Sequence, residues 1–201
     1  NCQPTAAKRP NPFADPRVRR AFTLAIDRRD VVAVTGLRQP IATTFIPPSL
    51  SVTDRQGRTV DYTAPEGVAY DVNAARRLLA EAGYPDGKGL GPIHLMYNAG
   101  YGHEPVAQRL AAMWKSQLGA DVQFLVKDGN AFGEALKTPA NKQWHIGRSG
   151  WFGDYRDPST FLDMLVTGDG NNDCGYSNAG YDALMAEAAA TDDQPLRMRL
   201  F

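Results

Sequence analysis

The stretch IHLMYNAGYGHEPVAQRLAAMWKSQLGADVQFLV, residues 93–126, decides the fold class. Residues 93–97, apolar apart from His94, read as a strand. Residues 104–118 place Val106, Leu110, Met113, Trp114 and Leu118 on one face at helical spacing. Residues 122–126 read as a second strand, with Val122, Gln123 and Phe124 alternating apolar and polar. A crossover helix of this length joins parallel strands, because a hairpin needs only a short turn. The expected class is therefore α/β, a small mixed sheet flanked by helices.

On the N-terminal side the helices announce their own ends. Asp15-Pro16 reads as a cap followed by a first-turn proline, with Val18, Ala21, Phe22 and Ala25 at helical spacing. Asp27 caps a second helix carrying Val31, Val32 and Val34, which Gly36 closes. Asp71 caps a third through Ala74, Ala75, Leu78, Leu79 and Ala82, ended by Gly83 and barred from continuing by Pro85. Between them, residues 39–69 hold Pro40, Pro47, Pro48 and Pro65 and read as irregular, with a short strand at residues 43–46. A loop that long in a compact domain is functional or docked on something. On the C-terminal side, residues 132–136 read as a short helix, 144–151 as a strand, and 158–165, 181–190 and 195–201 as helices.

Composition excludes several classes. Lys+Arg and Asp+Glu number 22 each among 201 residues, so there is no basic excess for a nucleic-acid surface. Apolar residues at 43% support an ordinary core, and no apolar run approaches the roughly 20 residues of a membrane span. The chain opens Asn-Cys-Gln-Pro, without Met or an apolar leader, and closes inside a helical pattern at Phe201. The expectation is a piece of a longer protein whose leader lies upstream. Cys2 and Cys174 allow one disulfide, but two separate thiols are the plainer reading, since spacing says nothing of the distance between them.

The residues offer little catalysis. His94, His103 and His145 make no His-Glu-x-x-His or i,i+4 pair, and His94 and His145 fall in strands, where structural histidines are common. No Gly-x-Ser-x-Gly and no phosphate-cradling glycine loop occurs. Residues 169–173, DGNND, lack the alternating ligands and final Glu of a calcium loop and read as a solvated turn. No catalytic residue, metal or cofactor is expected. The informative segment is WHIGRSGWFGDYRDPSTFLDML, residues 144–165. There a strand ends at Gly150-Trp151, the carboxylate of Asp154 follows, and Asp157-Pro158 starts a helix. An aromatic and an acid at a strand end can wall a ligand cleft, the acid pairing with a ligand ammonium. The alternative is that Asp154 faces water and Trp151 belongs to the core.

Several segments in register resemble one family. NPFADPRVRRAF (11–22) with AIDR (25–28), Pro47-Pro48, DVNAARRLLAEAGY (71–84), Leu95 to Asn98 with residues 107–122, GWFGDYRDP (150–158), Asn171-Asn172 and the Tyr181-Asp182-x-Leu184 segment look like family 5 solute-binding proteins. These serve ABC importers for oligopeptides, dipeptides and nickel. The resemblance implies a periplasmic-binding-protein-like lobe. Residues 1–12 would be the lead-in between lobes and residues 13–201 the second lobe, with the first lobe and the C-terminal return lying outside this sequence.

The same resemblance implies the site. Asp154 falls where peptide-binding members hold the ligand's α-ammonium, and Gly150, Trp151, Phe152 and Gly153 fall on the strand that pairs with the peptide backbone. Arg148 matches a basic position that some members use near the ligand. Phe152 departs from the small or Cys residue of some relatives, which leaves peptide length and ligand class open. Partners implied are a peptide and the permease subunits of an ABC transporter, with no nucleic acid and a monomeric state. Membrane contact would run only through the transporter or an upstream lipid anchor, placing the protein in the periplasm or outside the cell as a lipoprotein. Competing readings are a sensor domain of a transcription regulator, a member binding nickel, haem, a sugar or an opine, and a hydrolase using Asp154 or His145.

Overall fold

The computed structural model describes residues 11–47, 50–64, 66–137 and 143–201. Its contacts gather into two compact units. The first comprises Asn1–Gln39, Ala69–Gly133 and Ala140–Arg148; the second comprises Pro40–Val68, Glu134–Pro139 and Ser149–Phe201.

In the first unit, a 3₁₀ turn at Pro12–Ala14 leads into α1 (Pro16–Leu24) and α2 (Arg28–Thr35). Asp15 and Asp27 cap them, each accepting the backbone N–H two residues on, at 2.8 and 3.0 Å. Gly36 closes α2 in the left-handed conformation, φ 66°. α3 (Val72–Glu81) is capped by Asp71, which accepts the Ala74 N–H at 2.8 Å. α1 packs on α3, and the Arg17 guanidinium donates to the Glu81 carbonyl at the end of α3, 2.8 Å.

After β1 (Ser51–Thr53) and β2 (Thr59–Asp61), which belong to the second unit, β3 (Pro92–Asn98), α4 (His103–Leu118) and β4 (Asp121–Lys127) form the expected parallel β-α-β unit. β5 (Ile146–Gly147) adds to the other side of β3, also parallel, giving the order β4-β3-β5. The core of this unit includes Val18, Phe22, Leu79, Ile93, Met96, Trp114 and Leu118. Trp114 joins two layers: its ring lies 5.3 Å from that of Phe22, and its buried Nε1–H donates to the Phe22 carbonyl at 2.9 Å.

The second unit contains β1 (Ser51–Thr53) and β2 (Thr59–Asp61), an antiparallel hairpin. The two strand senses are thus divided between two small sheets. The strand expected at residues 43–46 does not form. Thr44 instead bonds locally to the Ile46 carbonyl at 3.0 Å, and the Thr43 carbonyl is taken by the Val68 N–H at 2.9 Å. The hairpin turn is built by Asp54, whose Oδ1 accepts the N–H groups of Gln56 and Arg58 at 2.9 and 2.8 Å. The long irregular stretch is docked, for Ile46, Leu50 and Tyr62 pack with Leu162, Met185 and Phe201 to make this unit's core.

α5 (Gly129–Lys137) is longer than expected and holds the division between the units. α6 (Ser159–Leu162) continues as a 3₁₀ turn at Asp163–Leu165, and α7 (Ala179–Ala190) and α8 (Gln194–Leu200) follow. Asp157 and Arg197 form a two-pronged ion pair; one prong, Nη2 to Oδ1, is 2.9 Å. Their side chains are only 13% and 17% exposed. Burial by itself would raise the Asp157 carboxyl, but the Arg197 guanidinium and the Ser159 N–H and hydroxyl outweigh it and hold it below the usual 3.8.

Two predictions follow from these contacts. Gly119 ends α4 at φ 68°, and a Cβ there would sit 2.2 Å from the Asp86 carbonyl oxygen. Gly36→Ala, at φ 66° with open space around it, incurs left-handed strain alone, about 1–2 kcal/mol. Gly119→Ala must also push two backbones apart, so urea unfolding should show a clearly larger loss for it. In the second unit, Asp157→Asn leaves Arg197 without its counter-ion and should cost about 3 kcal/mol at neutral pH. Because the Asp157 carboxyl lies below 3.8, its contribution is complete above that value and is lost as pH falls through the lowered one. The gap between wild type and variant should therefore close in acid.

Candidate functional site

All strands of the β4-β3-β5 sheet are parallel, so their carboxyl ends open on one edge. Ligands of open α/β sheets bind at that edge, where the strand order reverses, here between β3 and β5. The loop leaving β3 carries Gly100, Tyr101 and Gly102 at φ 85°, 57° and 73°. A tyrosine held at positive φ is strained. This one is also 91% exposed. His103 then begins α4 without a side-chain cap at Gly102, its own N–H donating to the Gly100 carbonyl at 3.3 Å.

Arg148 leaves β5 at the same edge. Its N–H donates to the Met96 carbonyl of β3 at 2.8 Å. Its guanidinium is half-buried and has no ion-pair or hydrogen-bond partner among the described residues. Burial draws its pKa below the ordinary arginine value. Burial, and then the Arg148 charge, pull His103 below the ordinary histidine value. The Oδ1 of Asn98, the last residue of β3, is buried without a partner. This edge therefore offers a cation and an orphan acceptor beside the start of α4.

The remaining expected site residues belong to the second unit. The strand expected over residues 144–151 shrinks to Ile146–Gly147, because the Arg148 N–H makes the last backbone bond to β3. Residues 149–153 make no backbone hydrogen bond among the described residues. Gly153 is pressed on α6: a Cβ there would meet the Phe161 ring at 2.9 Å and Thr160 Cγ2 at 3.0 Å. The Asp154 N–H donates to Thr160 Oγ1 at 3.0 Å. That bond fixes the backbone while the exposed Asp154 carboxylate has no partner among the described residues. Phe152 is 94% exposed. Trp151 is half-buried, so neither a solvent-facing nor a core side chain, and its Nε1–H is buried without an acceptor.

The structure thus places Arg148 in one unit and residues 150–154 in the other. Tyr101 and the Asn98 carboxamide were not singled out from the sequence; the Gly-Tyr-Gly run at a strand end was the available signal. Among the described residues no three His, Cys, Asp or Glu side chains cluster as for a metal. In the turn at residues 169–173, Asp169 accepts the Asn171 N–H and Asn172 donates to the Val166 and Tyr176 carbonyls, as a self-bonded loop does. Cys174 is exposed, while Cys2 lies outside the described residues, so their pairing does too.

Residues 1–173 match the family model for bacterial extracellular solute-binding proteins, family 5, middle region. The chain is 31% identical over 194 residues to the periplasmic oligopeptide-binding protein OppA of Escherichia coli K12, covering 94% of this chain and 34% of that protein. It is 34% identical over 191 residues to the probable deoxycholate-binding periplasmic protein YgiS of the same organism, again covering 94% and 34%. The chain spans about a third of the length of the curated relatives it matches. The solved structure of the Escherichia coli murein tripeptide-binding protein MppA superposes with a TM-score of 0.76 at 27% identity, over 96% of this chain and 36% of that one. The α/β architecture is accordingly that of a periplasmic-binding-protein-like lobe. With a family match over most of its length and a shared fold, the chain belongs to the family 5 bacterial extracellular solute-binding proteins.

Proposed function

We propose that this chain is the second lobe of the substrate-binding component of an ABC importer, which captures peptides between two lobes and delivers them to a membrane permease. Residues 1–12 lead in from the first lobe and residues 13–201 form the second. The observation that carries the reading is the unbonded backbone of residues 149–153 ending in the free Asp154 carboxylate. An extended peptide can pair with such a backbone whatever its side chains, and its ammonium can pair with the carboxylate. Gly150, Trp151, Phe152 and Gly153 are the pairing stretch, and Arg148 stands near the ligand. The protein works outside the cytoplasm, as a monomer without cofactor or catalysis, and meets the membrane through the permease or an upstream lipid anchor.

One observation favours a second ligand class. Phe152 is 94% exposed in a segment expected to touch ligand, and the relative YgiS carries a name for deoxycholate binding. An apolar ligand set on Phe152 would have no use for Asp154. Nickel, sugar and opine ligands have no comparable support.

In the full-length protein, Asp154→Asn keeps the shape and removes the charge. Truncating one member of a buried charge pair costs about 2–5 kcal/mol. Calorimetry with tri-alanine should show affinity falling roughly 30- to several-thousand-fold. N-acetyl-tri-alanine should bind wild type as weakly, and the two changes together should not add. Unchanged affinity for tri-alanine would reject the ammonium role, and tight, Asp154-independent binding of deoxycholate would establish the second reading. The 201-residue chain alone should bind tri-alanine far more weakly than the full-length protein, since one wall leaves the ligand half in water; equal affinities would place the whole site in this lobe.

A further inference from the structure

β5 is only Ile146–Gly147, paired to β3 through Leu95↔Ile146 and Met96↔Gly147. A strand this short needs help at its ends. At the far end the Arg148 N–H bonds to the Met96 carbonyl. At the near end stands His145, bonded twice to one residue of β3. Its N–H donates to the His94 carbonyl at 2.9 Å, and its ring Nδ1 accepts the His94 N–H at 2.9 Å. The two imidazoles stack, with centroids 5.4 Å apart and planes 16° from parallel.

We propose that His145 is a positioning residue for Arg148: its neutral ring pins β5 to β3, and its protonation releases that end of the strand and loosens ligand binding. This rests on the reading of Arg148 as a ligand residue. The chemistry is local. A ring nitrogen that accepts a backbone N–H carries no proton, so the ring proton of neutral His145 sits on Nε2. A second proton goes to Nδ1 and sets two donors face to face. The bond is lost, and the His94 N–H is left half-buried without an acceptor.

The groups facing the ring leave it neutral near pH 7. From β3 comes His94, whose Nε2 is engaged with Gln123 Oε1 of β4 at 3.1 Å. From the N-terminal turn comes the Phe13 ring at 6.1 Å, whose carbonyl accepts the Arg19 guanidinium. On its own strand Arg148 follows. No carboxylate is among them in the described residues. Burial, and then the charge of His94, hold His145 below the ordinary 6.5. The native state therefore binds fewer protons than the unfolded one just below that pH. The tether is whole at neutral pH and is lost as pH falls through that lowered value.

The test uses the full-length protein without ligand, followed by nuclear magnetic resonance from pH 8 to 5. The His145 ring should titrate below 6.5. The amide signals of His94 and Arg148 should move with the same midpoint. His145→Asn supplies an acceptor that does not titrate and should abolish the step in the Arg148 amide, whereas His94→Gln should only shift its midpoint upward. Tri-alanine affinity should fall about two- to tenfold in wild type as pH drops from 7 through the His145 midpoint, the worth of one hydrogen bond, and stay level in His145→Asn. An Arg148 amide indifferent to His145 titration, or a step that survives His145→Asn, overturns the proposal. Amides that move together while tri-alanine affinity stays level would remove Arg148 from the ligand and leave the tether standing.

Discussion

The parallel ladder between β3 and β4, running from Pro92↔Asp121 to Asn98↔Lys127, is the constraint on which the first unit depends. A parallel pair can be joined only by a crossover long enough to return along the strand, and α4 supplies it. α4 must therefore lie on the sheet and present Met113, Trp114 and Leu118 inward. Trp114 then reaches Phe22, so the helix that closes the crossover also fixes α1. Gly119 and Gly87 make the return possible, since a side chain on Gly119 would enter the Asp86 carbonyl and one on Gly87 the carbonyls of Leu118 and Gly119.

The ladder also sets where chemistry can occur. With β3 central and every strand pointing the same way, the carboxyl ends of all the strands gather on one edge. The Arg148 guanidinium and the buried Asn98 Oδ1 are left without hydrogen-bond partners among the described residues. In the second unit the same logic operates through a different device. The Asp157–Arg197 pair and the Asp154 to Thr160 bond hold the loop's far end rigidly, while residues 149–153 keep their backbone groups free. A binding segment needs both: a fixed frame, and polar groups that folding has not consumed.

Much of this was legible in the residues. The caps at Asp15, Asp27 and Asp71 and the left-handed ends at Gly36 and Gly83 form bonds spanning two to five positions, so the local order of residue types announces them. The hairpin at residues 51–61 was missed, although Asp54 and Gly57 mark its turn, because two three-residue strands have too few positions to show a period. The strand at residues 144–151 was drawn too long, because its apolar and small residues fit an extended chain whether or not a neighbour exists to bond it.

The sequence by itself determined the family, the helices, the parallel pair and the segment around Asp154, all of which rest on short-range patterns or on motifs in register. Tertiary structure alone decided what those residues face. His94 and His145 lie 51 positions apart, and each alone reads as an ordinary strand histidine; only the pairing of β3 with β5 brings one ring nitrogen onto the other's backbone. Arg197 reaches Asp157 across 40 positions, and Arg148 stays unpaired because no carboxylate is folded toward it among the described residues. Charge and hydrogen-bond partnership depend on distance in space, and residue order carries that distance only over a few turns of chain.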